Sequence, residues 1–132
     1  MAKTRLRLVI VLLVAVAIAC VVGRPTPDQI AAADCGPYPN DYEEIVKSYY
    51  SKALFDPYSA VWEFKEPPKK GWAAVPRGKG AVGEVLKGHE PVFGWEVSGR
   101  VNAKNRFGAY VGARPFSVII RNGQVISASG PQ

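Results

Sequence analysis

Phe93-Gly94-Trp95-Glu96-Val97-Ser98-Gly99-Arg100-Val101-Asn102-Ala103 decides how this chain folds. Phe93, Trp95, Val97, Val101 and Ala103 share one parity, and Glu96, Ser98, Arg100 and Asn102 share the other. Successive side chains of an extended chain point to opposite faces, so the spacing predicts a long strand with one face on a core and one in water. Upstream, residues 58–65 alternate in the same way. Ala60, Trp62 and Phe64 lie on one side and Ser59, Glu63 and Lys65 on the other, with Val61 as the exception. Pro67-Pro68-Lys69-Lys70-Gly71 predicts a turn, residues 72–75 a short return strand, and residues 77–90 a loop. Downstream, residues 110–121 read as a strand with Phe116, Val118 and Ile120 on one side. Asn122-Gly123 predicts a type I′ hairpin that returns through residues 124–127.

One helix precedes these strands. Over residues 41–54, Tyr42, Ile45, Val46, Tyr49 and Ala53 recur at helical spacing. Asp41 followed three residues later by Glu44 has the order of a capping box, and the Asp56-Pro57 pair stops the helix because proline disfavours helical geometry at the residue before it. The expected fold is therefore α+β: one N-terminal amphipathic helix packed on a four- or five-stranded antiparallel sheet, as two layers. With 132 residues there is room for one such domain, expected over residues 41–128.

The N-terminus reads as an address. Lys3, Arg5 and Arg7 precede an uninterrupted apolar run over residues 8–19 that ends in Ala17-Ile18-Ala19-Cys20, the layout of an export signal. Twelve helical residues span about 18 Å against a hydrocarbon core of about 30 Å, so a permanent transmembrane anchor is the weaker reading. Ala17-Ile18-Ala19 satisfies an ordinary cleavage site, but the cysteine that follows favours another. Ala17-Ile18-Ala19-Cys20 resembles the bacterial lipobox, whose cysteine is diacylated and becomes the mature N-terminus, although leucine is commoner than Ala17 at the first position. The resemblance implies a membrane-anchored lipoprotein of the cell envelope, on an outer membrane or the periplasmic side in a Gram-negative cell. Two or more acyl chains hold a protein stably, where one binds marginally. If ordinary cleavage leaves Cys20 free, a bridge to Cys35, the only other cysteine, is open, and it would add about 3 kcal/mol at most.

Without residues 1–19 the chain keeps 14 basic and 11 acidic residues, a balance too even to point to nucleic acid. Residues 20–40 hold Pro25, Pro27, Pro37 and Pro39 and read as a flexible tether, with a helical turn over residues 28–33 as the alternative.

The least generic segment is Asn102-Ala103-Lys104-Asn105-Arg106-Phe107-Gly108-Ala109-Tyr110-Val111-Gly112-Ala113-Arg114-Pro115-Phe116. With Asp56-Pro57-Tyr58-Ser59-Ala60 before it and the Asn-Gly hairpin after it, it resembles a group of small exported bacterial proteins, often lipoproteins, with no assigned activity. Their pattern is a helix, DPxSA, then VNAKNxFGxYxGxxPF. Ala109 stands where a second glycine is expected. The resemblance covers about residues 41–126 and implies fold and envelope location only. From the residues themselves, Asn102 and Asn105 suit turns, and Gly108 and Gly112 mark bends. A functional reading gathers Asn102, Lys104, Asn105, Arg106, Tyr110 and Arg114 into a polar patch for an anionic or carbohydrate-like envelope ligand.

Catalytic chemistry is sparse. His89 is the only histidine and falls in an expected loop, so neither a Cys-His nor a Ser-His pair is indicated. No ligand spacing for a metal occurs, and no cofactor motif: Arg77-Gly78-Lys79-Gly80 lacks the Gly-Lys-Ser/Thr ending of a phosphate loop. Lys69, Lys70, Arg77, Lys79 and Lys87 make the middle of the chain basic, which suits anionic headgroups or wall polymers. Trp62, Trp72 and Trp95 read as core packing before a sugar platform. The sequence thus favours a non-enzymatic binding module, anchored to the membrane through Cys20, for a partner protein or cell-wall polymer. The alternative is a small hydrolase of envelope glycan or peptide using a carboxylate such as Glu96, from the set Glu63, Glu66, Glu84, Glu90 and Glu96.

Overall fold

The computed structural model describes residues 23–76 and 88–131. The expected signal segment, Cys20 and the expected loop at Arg77-Gly78-Lys79-Gly80 lie outside the described residues. Within them the elements run α1 (Pro27–Ala32), α2 (Tyr42–Tyr50), β1 (Asp56–Phe64), β2 (Lys69–Pro76), β3 (His89–Lys104), β4 (Arg114–Arg121) and β5 (Gln124–Ser129). The five strands form one antiparallel sheet in the order β1-β3-β4-β5, and β2 also pairs with β3.

The alternation over residues 93–103 lies at the centre of a 16-residue strand that organises everything else. One edge of β3 is shared. Its first half pairs with β2, from Pro76↔His89 to Lys69↔Glu96, and its second half pairs with β1 through Phe64↔Gly99, Trp62↔Val101 and Asp56↔Lys104. Its other edge pairs with β4 from Trp95↔Ile120 to Val101↔Arg114. Asn122 and Gly123 then turn β4 into β5 with φ of 51° and 73°, the positive values that a type I′ turn requires and that asparagine and glycine tolerate. His89 is the exposed first residue of β3, because pairing with Pro76 extends that strand past the expected loop.

The core lies on the face of Val97, Val101, Phe116, Val118 and Ile120, against Val46 and Tyr50 of α2. A nine-residue helix is marginal alone, so α2 depends on this packing. Tyr42 and Ile45 share the packed face, but Tyr49 is 44% exposed and Tyr50 turns inward in its place. Two details differ from expectation. The helix stops at Tyr50, four residues early, and Asp41 makes no side-chain cap bond. Asp41 sits at φ −98°, ψ 26°, in a turn closed by the Tyr42 N–H on the Pro39 carbonyl, not in the extended geometry from which a cap side chain reaches forward.

Of the two readings open for residues 20–40, a tether and a helical turn over residues 28–33, the described part shows the helical turn, as α1, and it is docked on the sheet. Thr26 and Gln29 form a reciprocal capping box around α1. Beyond it the Trp95 indole donates to the Gly36 carbonyl at 3.1 Å, and Lys70 Nζ donates to the Ala31 and Ala33 carbonyls at 2.8 and 3.0 Å. Arg121 reaches the Asp34 carbonyl at 2.6 Å, and Tyr38 meets the Trp95 ring edge-on at 5.0 Å. Cys35, within this strap, is buried as a free thiol. Proline-rich composition looked like linker, yet the carbonyls of residues 31–36 satisfy donors on the sheet.

Candidate functional site

The two halves of the sequence pattern meet at one residue, Ser59. Asp56 accepts from the Ser59 N–H at 3.3 Å, and the Ser59 hydroxyl donates back to the Asp56 carbonyl at 2.8 Å, where the β1–β3 register shifts. Across that irregularity the Lys104 N–H donates to Ser59 Oγ at 2.9 Å, and the Tyr110 hydroxyl donates to the Ser59 carbonyl at 3.1 Å. The Lys104 ammonium lies 5.5 Å from the centre of the Tyr110 ring, within cation–π range.

The loop between β3 and β4 is built by asparagines. Asn105 Oδ1 accepts the N–H groups of Phe107 at 2.9 Å and Ala109 at 3.2 Å, while the Asn105 N–H donates to the Ala109 carbonyl at 2.9 Å. Asn102 Oδ1 takes the Gly112 N–H at 3.1 Å. Gly108 and Gly112 have φ of 76° and 93°, which a side chain would strain. These bonds end the expected 110–121 strand at its start: Tyr110 makes only an isolated bridge to Lys104, and β4 begins at Arg114.

Of the six residues expected to form a binding patch, Asn102, Asn105 and Tyr110 are thus engaged with backbone. Lys104, Asn105 and Arg114 come together on a hollow of about 200 Å³ whose apolar lining includes Leu54, Phe55 and Val111. Arg106 is exposed at the loop tip. What sequence reading missed is the apolar surface around them. Phe107 is 85% exposed, Phe55 70%, Tyr58 100% and Val61 61%. Phe107 and Tyr58 stand inside the quoted pattern, and Phe55 precedes the Asp56-Pro57 helix stop with no signal of its own. Of these, Phe55 lines the hollow beside Lys104 and Arg114, and Phe107 is exposed in the loop next to Arg106.

A second concavity lies on the sheet face away from α2. The sheet curls until β2 approaches β5, with which it does not pair, and a cleft of about 430 Å³ opens between them. Lys70, Gly71, Ala73, Glu96, Ser117, Ile119, Ser127 and Ser129 are among its lining residues. Glu96 is half-buried there and accepts a long bond from the Ser117 hydroxyl at 3.5 Å. Cleavage of a glycosidic bond by carboxylates takes two of them about 5–10 Å apart, and Glu96 is the only carboxylate lining this cleft among the described residues.

The tryptophans do not form one platform. Trp62 stacks on Phe64 at 6.2 Å and meets Phe116 edge-on at 5.5 Å, Trp95 holds the N-terminal strap, and Trp72 lines the cleft. Of the mid-chain cations, Lys69 pairs with Glu66 at 3.6 Å and Lys70 is bound to carbonyls. Among the described residues no cluster of His, Cys, Asp and Glu is placed to hold a metal ion, and no helix is long and apolar enough to cross a membrane. No protein-family model, curated protein or solved structure matches this chain.

Proposed function

We propose that the protein is a lipid-anchored bacterial envelope protein, exported by its N-terminal segment, held to the membrane by diacylated Cys20, and acting as a non-enzymatic binding module for an anionic cell-wall polymer. The observation that carries the binding role is the 105–112 loop. Its backbone is held by Asn102, Asn105 and Tyr110, and it displays Arg106 and the 85%-exposed Phe107 beside Lys104 and Arg114. Guanidinium groups pair in bidentate fashion with carboxylate or phosphate, and an exposed ring supplies the apolar face that a polymer unit covers.

The placement of the two ends supports the same reading. Gly23 and Pro25 line a hollow with Pro91, Val92 and Phe93 at the start of β3, whereas the loop follows Lys104 at its end. Those ends are about 40 Å apart along an extended strand. A chain anchored at Cys20 therefore presents the loop away from its own bilayer.

The full chain in detergent micelles, mixed with insoluble cell-wall sacculi and centrifuged, tests the reading. Wild type is expected to sediment with the wall at low salt and to be released as salt rises, since exposed charges are screened within about 10 Å at 0.1 M. Arg106→Glu and Phe107→Ala, both at exposed positions, are expected to stay in solution with unchanged circular dichroism. Wild type that fails to sediment at low salt, or variants that sediment equally, would overturn the proposal, and capture of a soluble acidic protein in place of the wall would redirect it.

A further inference from the structure

The cleft between β2 and β5 is a separate feature from the loop: it is lined by none of Lys104, Arg106 and Arg114. From its lining we infer that it binds a primary alkylammonium group, such as the side-chain amine of a lysine-like residue in a peptide.

Cross-strand register sets the lining. Glu96 pairs with Ile119, which pairs with Ser127, and one step along Ser98 pairs with Ser117, which pairs with Ser129. Side chains in one row share a face, so the carboxylate and the hydroxyls of Ser117, Ser127 and Ser129 are brought to one concave surface. The space above them is kept by a glycine pair, Gly71 opposite Gly94. A Cβ at Gly71 would lie 2.8 Å from Glu96 Cβ and 3.2 Å from its Oε2, and one at Gly94 would lie 2.7 Å from Ile119 Cγ2. Any larger residue at position 71 would push the carboxylate out of its place.

Among the described residues no cation makes an ion pair with Glu96, although Lys70 also lines the cleft. Lys70 turns its ammonium to the Ala31 and Ala33 carbonyls, and Lys69, directly across from Glu96 in the ladder, pairs with Glu66. Among the described residues Glu96 keeps one long bond, from Ser117. A half-buried carboxylate beside hydroxyl oxygens offers acceptors in the number that an ammonium, with three donors and no acceptor, can use. A charge-assisted N–H···O bond is about twice as strong as a neutral one, which favours the amine over a neutral polyol. The volume of about 430 Å³ falls within the range of small-ligand sites.

The full chain in detergent micelles, titrated with cadaverine and with Nα-acetyl-lysine methylamide by calorimetry, tests this site. N-acetylglucosamine serves as the neutral probe. Saturable binding of both amines is expected, weakened about tenfold or more by Glu96→Gln, in line with loss of a charge-assisted bond. Ser127→Ala is expected to weaken it by a smaller factor, and Arg106→Glu at the distant loop to leave it unchanged, which separates this site from wall binding. Absence of saturable amine binding, equal affinity in Glu96→Gln, or preference for the neutral sugar would each overturn the inference. A Glu96→Gln chain with an unchanged unfolding midpoint ensures that a loss reports binding and not folding.

Discussion

Asn105 does at one position what several residues do in most loops: its side chain takes two backbone N–H groups while its own N–H and carbonyl close the turn on Ala109 and Gly108. Replacing it with alanine removes two bonds of about 1 kcal/mol each, so Asn105→Ala is expected to lower stability by about 1–2 kcal/mol in urea denaturation, with faster amide exchange confined to residues 105–112. Tyr50 offers a different test. It is 2% exposed and its hydroxyl donates to the Ser129 carbonyl at 2.9 Å. Burial, with a smaller contribution from Tyr49, raises its pKa above 10.0. The unfolded chain therefore loses this proton first. The contribution of Tyr50 is complete below about pH 10 and falls as pH rises from there through the raised folded value. Tyr50→Phe is expected to cost about 1 kcal/mol at neutral pH and to flatten the decline of stability above pH 10, read from denaturation midpoints between pH 8 and 11. An unchanged alkaline slope in the variant would assign that slope to other groups. Gly99 shows the steric side of the same scale. A Cβ there would meet the Glu63 carbonyl oxygen and the Phe116 ring at 2.9 Å, so Gly99→Ala is expected to separate β1 from β3 and to lower the yield of folded protein.

The elements were legible wherever one face is buried and the other is wet. Val97, Val101 and Ala103 alternate with Glu96, Arg100 and Asn102 because β3 carries α2 on one side only, and period two survives that geometry intact. Asn122-Gly123 was equally readable, since the turn type demands those two residues. The candidate patch was legible in half. Its asparagines were recognisable as turn formers, whereas the exposure of Phe55 and Phe107 depends on what the fold leaves uncovered, which no periodicity encodes. The docked strap was not legible because its attachments are non-local. Trp95 and Gly36 lie 59 residues apart, Arg121 and Asp34 87, and the segment presents carbonyls that every residue type possesses. Its consequence is measurable at Cys35. Cys35, part of the strap, is 2% exposed, so a thiol-specific reagent is expected to modify it only through local opening. Trp95→Phe, which keeps a ring but loses the indole donor, is expected to raise the labelling rate several-fold while the global unfolding free energy falls by about 1 kcal/mol or less. Equal labelling rates in wild type and variant would show that the strap is held by its other attachments.

At the scale of the whole molecule, the docked strap changes what a lipid on Cys20 would do. With a free tether over residues 20–40 the domain would tumble at a distance of tens of Å, and no part of it would face the membrane preferentially. The capping box at Thr26 instead leaves five residues between the proposed anchor and the folded domain, a reach of about 20 Å over six fully extended steps. The strap meets the sheet around Phe93 and Trp95, near the start of β3, so that end of the sheet is the one held near the bilayer. The 105–112 loop lies at the other end of the same 16-residue strand, and a strand within a paired sheet does not fold back. Orientation is therefore a consequence of topology once the anchor is in place. Energy transfer to an acceptor lipid measures it. A donor placed at Arg24→Cys is expected to be strongly quenched in vesicles, and one at Phe107→Cys only weakly, with the buried Cys35 thiol spared under native labelling. Both donors should become insensitive to vesicles in a Cys20→Ser background, where intact mass is also expected to lose the diacylglyceryl group and the protein to leave the membrane fraction. Equal quenching at both positions would mean that the sheet lies flat on the surface, and the cationic tip would then belong to the headgroups beneath it and not to a polymer beyond.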